Sequence, residues 1–214
     1  METKAYSVSL EKNPVIAIRV IPGHFTTSNV HSNNYLDVSD LKSNANVAQD
    51  VARELAIPYL SNVHVDTIVC MEKTEVIGAY LAKELTQEGT SVINAGGMIH
   101  VVSPIINAYG NLIFQGSMIE WINGKNILLL IASISSGRTL NCALECLAYY
   151  GGIVVGKSAL FVASQEMRES DVNTLFTADD IPGYEIFKTA DCEMCKAGRK
   201  LDAIITSEGY TIIE

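Results

Sequence analysis

Five consecutive residues, Ser135-Ser136-Gly137-Arg138-Thr139, bring together three hydroxyls, a glycine and a guanidinium. They follow the apolar run Ile127 to Ile134 and precede Leu140, Ala143, Leu144 and Leu147, an i, i+3, i+4, i+7 stripe that predicts a helix. A loop in this position faces the N–H groups of a helix's first turn, which have no partner within the helix. Glycine permits a positive φ and close approach of the backbone, and the helix dipole adds roughly 0.3–1 kcal/mol for a negative group. A phosphate monoester would be the matching ligand. Ser and Thr at such a place also serve as ordinary helix caps, and the residues alone leave both uses open. Arg138 either pairs with a phosphate or points outward as a first-turn residue. No G-x-x-x-x-G-K is present, which excludes a Walker A loop.

A second polar group, Glu72-Lys73-Thr74-Glu75, ends the mostly apolar run Val65 to Met71, with Lys73 as its only cation. It reads either as a second anion-binding turn or as a solvated one. Cys192 and Cys195 have the spacing of half a zinc site, and no second C-x-x-C completes it. His24, His31, His64 and His100 could supply the missing ligands only if the fold or a dimer gathered them. The expectation is therefore reduced thiols and no metal. Cys142 and Cys146 share a face with the helical stripe and read as small buried hydrophobes. Trp121, in an apolar run, reads as core or interface, and Asp37 and Asp40 as turn or helix caps.

These groups need elements to position them. Val15 to Ile21 and Tyr35 to Val38 are short β-like runs that Pro22-Gly23 and Ser32-Asn33-Asn34 interrupt, so residues Tyr6 to Asp40 predict a small β-rich lobe. From Asn44, Val47, Val51 and Leu55 recur at helical spacing until Ile57-Pro58. Val65 to Met71 predicts a strand, Val76 to Leu85 a helix closed by Gly89, and Thr90 the start of another strand. Asn94 to Gly116, rich in Gly and Asn, predicts a mobile loop or hairpin. Lys125 to Ile134 is a strand covered on both faces, Gly151-Gly152 ends the next helix, and Ala159 to Ser164 predicts a further strand. Alternating strands and helices imply an α/β fold with a parallel sheet.

Composition narrows the partners. A net charge of −9 is unsuited to a surface that neutralises nucleic acid. No uncharged apolar run reaches the 18 or so residues of a membrane span, and Met1 to Leu10 lacks the order of a signal peptide, so a cytoplasmic protein is expected.

The segment ILLLIASISSGRTL, from Ile127, resembles the phosphoribosyl diphosphate (PRPP) signature of type I phosphoribosyltransferases: apolar strand, acidic pair, T-T-G-G-T, helix. HSNNYLDVSDLKSNANVAQDVARELA, from His31, resembles the passage from hood strand to first core helix in orotate phosphoribosyltransferases. VDTIVCMEKTEVIGAYLAKEL, from Val65, is similar to their diphosphate-loop strand and helix, and CEMCKAGRKLDAI, from Cys192, to a C-terminal C-x-x-C-x-x-G segment of some members. The resemblance implies a central, mostly parallel sheet flanked by helices, with a small β-rich hood. It divides the chain into a hood segment (1–43), an α/β core (44–190) and a C-terminal segment (191–214). Ser135, Ser136, Gly137, Arg138 and Thr139 would hold the 5-phosphate of PRPP or of a nucleoside monophosphate, and Glu72, Lys73 and Thr74 would form the diphosphate loop. Mg²⁺ with PRPP, a nitrogenous base as co-substrate and a homodimer are implied in the same way.

The chain departs from that pattern where catalysis is concerned. The acidic pair is Ile131-Ala132, the hood's lysine and Ser-Gly-Arg turn are Thr27 and Ser28-Asn29-Val30, and Asn94 to Gly116 holds His100 but no Lys or Arg. Arg138 replaces the second glycine of the loop. No catalytic residue is therefore assigned. The expected function is transfer of ribose 5-phosphate from PRPP to a base. The alternatives are a regulatory homologue that binds PRPP or a nucleotide without consuming it, and a homo-oligomeric scaffold with no ligand.

Overall fold

The computed structural model describes residues 4–28, 30–88, 92–108, 111–163, 171–206 and 209–213. At its centre is β8 (Asn126–Ile134), whose residues from Ile127 to Ala132 are all buried. Because strand side chains alternate, this run supplies two cores. Leu128, Leu130 and Ala132 enter one cluster with α2 (Ala45–Ala56) and α3 (Glu75–Thr86), while Ile127, Leu129 and Ile131 enter another with α4 (Arg138–Tyr149). A continuous apolar run is what a strand covered on both faces requires.

Around β8 lies an entirely parallel sheet in the order β10-β9-β8-β4-β5, formed by β4 (Thr67–Cys70), β5 (His100–Val102), β9 (Ile153–Val162) and β10 (Asn173–Thr177). The chain leaves β4 through α3 to β5 on one side, and leaves β8 through α4 to β9 on the other. The strand order therefore reverses between β4 and β8. Open α/β sheets bind ligands in the crevice outside such a switch point. The two loops bordering it are residues 71–74 and 135–137.

Helix boundaries follow the local chemistry. Asn44 caps α2 by accepting the Asn46 N–H at 3.2 Å, and Gly151, at φ 77°, follows α4. Gly78 lets α3 lie directly on β4, because a Cβ there would collide with Cys70 Sγ and approach Val101 Cγ1 to 3.1 Å. Gly78→Ala is expected to lower stability, since overpacking of about 1–3 kcal/mol outweighs the helix-propensity gain of about 1 kcal/mol. Urea unfolding checks this, and Cys70→Ala in the same chain should restore most of the loss.

A second sheet, in the order β11-β3-β2-β12-β13 with β1 on β2, is built from both ends of the chain. β1 (Tyr6–Leu10), β2 (Asn13–Thr26) and β3 (Val30–Asp37) come from the N-terminal side. β11 (Ile186–Lys188), β12 (Ala203–Thr206) and β13 (Gly209–Ile212) come from the C-terminal side. This is the expected β-rich lobe, with two corrections. Pro22-Gly23 does not end a strand: β2 continues through a bulge in which Pro22 pairs with Asn34 and Phe25 with Ser32. Bulges are where a sheet accommodates proline. Nor do Ser32-Asn33-Asn34 break β3, because the Ser32 hydroxyl donates to the Asn34 carbonyl at 2.7 Å and the strand runs on.

Asn94 to Gly116 contains β5 and a two-stranded hairpin, β6 (Ile105–Ile106) with β7 (Leu112–Ile113). The strand start expected at Thr90, the helix stop at Gly89 and the strand end at Ser164 lie outside the described residues. Among the described residues no helix is long and apolar enough to cross a membrane.

Candidate functional site

The loop after β8 begins where the strand's buried run ends. Gly137 adopts φ 75°, ψ −3°, and its carbonyl accepts the Asn141 N–H at 2.9 Å, which starts α4 at Arg138. Gly137 is the N-cap residue, and among the described residues no side-chain cap hydrogen bond is made at this helix end. The serines and threonine therefore do not act as the cap, which was one of the two uses their types allow. The first-turn N–H groups, together with the hydroxyls of Ser135, Ser136 and Thr139, stand at the crevice end of the central strand. Ser136 and Arg138 are exposed, Ser135 and Thr139 half-buried. That is the arrangement of an oxyanion site built from backbone donors.

The loop after β4 meets it from across the switch point. Glu72 and Lys73 are both left-handed, at φ 57° and 64°, a conformation that costs non-glycine residues roughly 1–2 kcal/mol each. Such strain is found where a loop is held for function. Here the holding contacts are visible. The Thr74 hydroxyl donates to the Met71 carbonyl at 2.9 Å and lies 3.4 Å from the Leu130 carbonyl, joining the loop to β8. The Lys42 ammonium, from α1 (Ser39–Ser43), donates to the Glu72 carbonyl at 3.0 Å.

Glu72 turns inward. Its Oε2 accepts the Ser133 N–H at 3.0 Å, so its carboxylate stands at the end of β8, beside the positions of the missing acidic pair. Ile131 and Ala132 themselves are 1% and 3% exposed and belong to the two cores. Of the three expected diphosphate-loop residues, Lys73 is exposed toward solvent, Thr74 holds the loop, and Glu72 faces the strand end. The sequence reading missed Lys42. A usable signal existed, since Lys42 is the only Lys or Arg between Arg19 and Arg53.

Burial pushes the Glu72 carboxyl above its ordinary range, against the opposing pull of the Ser133 N–H and of Lys42. The Lys42 ammonium is shifted down by burial, with Glu72 partly restoring it. The folded chain thus holds the Glu72 proton more tightly than the unfolded chain does. Its contribution to stability is lost as pH rises from the ordinary carboxylate range through the raised value. Glu72→Gln keeps an oxygen for the Ser133 N–H and removes the charge. It is expected to be more stable than the parent at neutral pH and equal to it in acid below the carboxylate range, as read by urea unfolding at the two pH values.

Other sequence candidates lie elsewhere. His100 stacks on Trp121 at 4.6 Å between ring centres, and His64 pairs with Asp66 at 3.3 Å. Asp37 accepts the Ser39 N–H at 3.0 Å, as a turn cap. Thr27 Oγ1 accepts the Val30 N–H at 3.1 Å in the hood turn, and Asn29 lies outside the described residues. Cys192 and Cys195 lie beside His24 and His31 of the hood sheet. A cleft of about 470 Å³ between the β1–β2 turn, the end of α2 and β10 shares no lining residue with either loop. Glu11, Glu54 and Asp180 outnumber Lys12 in its lining, a poor setting for a phosphate.

No protein-family model matches the sequence, and no curated protein matches it. Solved structures do match the fold. The Leishmania donovani UMP synthase structure aligns with a TM-score of 0.54 at 19% identity, covering 89% of this chain and 37% of that one. This chain thus spans little more than a third of that protein's length. An adenine phosphoribosyltransferase from Thermoanaerobacter pseudethanolicus aligns at TM-score 0.52 and 17% identity, covering 75% of this chain and 95% of that one. Orotate phosphoribosyltransferase from Mycobacterium tuberculosis, in complex with Fe(III) dicitrate, aligns at 0.51 and 14% identity, covering 75% and 90%. The chain has the type I phosphoribosyltransferase fold.

Proposed function

We propose that the chain binds PRPP at the β4–β8 switch point and transfers its ribose 5-phosphate to a nitrogenous base, with orotate as the nearest analogue among bases. The observation that carries this reading is the N-terminus of α4, with left-handed Gly137 as its N-cap and no side-chain cap hydrogen bond among the described residues, at the crevice end of the central strand. In the reaction the base nitrogen forms a bond to C1 of the ribose and gives up its proton to solvent, while the bond from C1 to the diphosphate oxygen breaks and diphosphate leaves with both electrons. Residues 135–139 hold the 5-phosphate through backbone N–H groups and hydroxyls. Lys73 meets the diphosphate, and the Glu72 carboxylate, fixed at the end of β8, faces the ribose hydroxyls in place of the acidic pair.

Mg²⁺ needs oxygen donors, and the residues at the acidic-pair positions, Ile131 and Ala132, supply none. Among the described residues Glu72 is the one carboxylate at that strand end, too few donors to hold a resident Mg²⁺. Any Mg²⁺ would arrive with the diphosphate, whose oxygens hold it and whose charge it offsets. A homodimer without nucleic-acid or membrane partners is the assembly proposed with this activity.

A second reading is favoured by one observation: the buried apolar pair Ile131-Ala132 removes two charge-assisted hydrogen bonds, each worth about 1.5–3 kcal/mol. The chain would then bind PRPP or a nucleoside monophosphate in a regulatory role without turnover. Both readings require phosphate recognition. Calorimetric titration should show a nucleoside 5′-monophosphate binding and the matching nucleoside failing to bind. Equal behaviour of the two would refute both.

A further inference from the structure

His24, His31, Cys192 and Cys195 are drawn together from two ends of the chain, with all four ligand atoms within 4.8 Å of one another. His24 lies in the β2 bulge, where the extra residue re-aims a side chain, and His31 on neighbouring β3. Cys192 is the N-cap residue of a short helix, α5 (Glu193–Lys196), and Cys195 lies within it. His24 Nε2 is 3.2 Å from His31 Nδ1, 3.4 Å from Cys192 Sγ and 3.7 Å from Cys195 Sγ, and Cys195 Sγ is 3.4 Å from His31 Nδ1.

Hydrogen bonding alone does not account for this cluster. His24 Nδ1 lies 3.0 Å from the Arg199 carbonyl and 3.1 Å from the Lys200 carbonyl, both acceptors, so Nδ1 carries the proton and Nε2 is bare. A bare imidazole nitrogen offers one lone pair, yet three groups converge on it. One cation at the centre would satisfy all four. Tetrahedral zinc, with bonds of about 2.0–2.1 Å to nitrogen and 2.3 Å to sulfur, sets N···N near about 3.3 Å and N···S near about 3.6 Å. The four separations match those edges. A histidine whose second nitrogen donates to a backbone carbonyl is also the usual support of a metal ligand.

We propose that these four residues bind a single zinc ion through His24 Nε2, His31 Nδ1 and the two Sγ atoms. Each thiol releases its proton to solvent as the ion enters, so two protons are displaced. With four protein ligands and no open position, the site is structural. It fastens the C-terminal segment onto the hood sheet, alongside a reciprocal backbone link: His24 N–H donates to Asp202 Oδ2 at 2.7 Å and Asp202 N–H to the His24 carbonyl at 2.8 Å. Three of the ligands are buried and Cys195 is exposed, which leaves an entry for the ion. The site is independent of the proposed transferase activity.

The full chain, reduced, loaded with zinc and freed of excess, should retain one ion by elemental analysis. Replacement by cobalt should give the intense visible bands and thiolate charge-transfer absorption of a tetrahedral S₂N₂ site. Cys195→Ser, at the exposed ligand, should lose the ion and the thiolate signal. Cys142→Ser, an exposed cysteine on α4, should keep both. A chelator should lower the melting temperature of the parent and of Cys142→Ser, and leave that of Cys195→Ser unmoved. Failure of the reduced parent to hold zinc, a cobalt spectrum without thiolate character, or equal loss in both serine variants would each overturn the proposal.

Discussion

Gly137→Asp is expected to weaken binding of PRPP or of a nucleoside 5′-monophosphate by more than about tenfold while lowering stability by no more than about 1–2 kcal/mol, the cost of a left-handed non-glycine residue. Residue 137 sits at φ 75°, which aspartate tolerates better than most residues. Its carboxylate would lie beside the first-turn N–H groups of α4 and compete for them. Those are the donors assigned to the phosphate, and the carboxylate adds a like charge at the same place. Loss of binding thus exceeds what the small loss of stability explains. Calorimetry for affinity and a thermal melt for stability check the two halves separately. Unaltered affinity would show that the ligand does not use this helix end.

Ile131→Asp is expected to lower stability by about 3–5 kcal/mol, a large part of what a domain of this size possesses. The acidic pair of the PRPP signature cannot simply be restored in this chain. Ile131 is 1% exposed and packs with Val69, Leu129 and Ala159 in the core beneath α4. A carboxylate there would be buried without a cation, or would take up a proton and remain a poor fit for an apolar pocket. Urea unfolding measures the loss. A variant as stable as the parent would mean that the strand end opens to the crevice, and that the apolar pair is a local choice rather than part of the core.

Much of the core was legible because its signals are local. The uninterrupted apolar run of β8, the stripe of α4 and the Val47, Val51, Leu55 stripe of α2 each depend on residues close in sequence. The loop after β8 was legible as a strand-to-helix turn for the same reason: strand, glycine and helix follow one another directly. Pro22-Gly23 misled because a proline that ends most strands is accommodated by a bulge, and bulges depend on the partner strand. The inward turn of Glu72 was invisible since nothing in Glu72-Lys73-Thr74 distinguishes two left-handed residues from a solvated turn. Lys42 acts across 30 positions and the His24–Cys192 contact across 168, so no spacing rule reports either. The C-x-x-C showed half of the cluster, and only the pairing of both chain ends in one sheet supplied the other half.

Phosphorus NMR of the chain with PRPP and Mg²⁺, before and after addition of orotate, uracil and purine bases, tests the central claim most directly. The proposed transferase predicts base-dependent appearance of diphosphate together with a new nucleoside monophosphate signal, absent in Gly137→Asp. A PRPP spectrum that shifts or broadens without products would leave the binding reading in its place. A PRPP spectrum that the protein does not perturb, with every base, would contradict both the transferase and the phosphate site on which it rests.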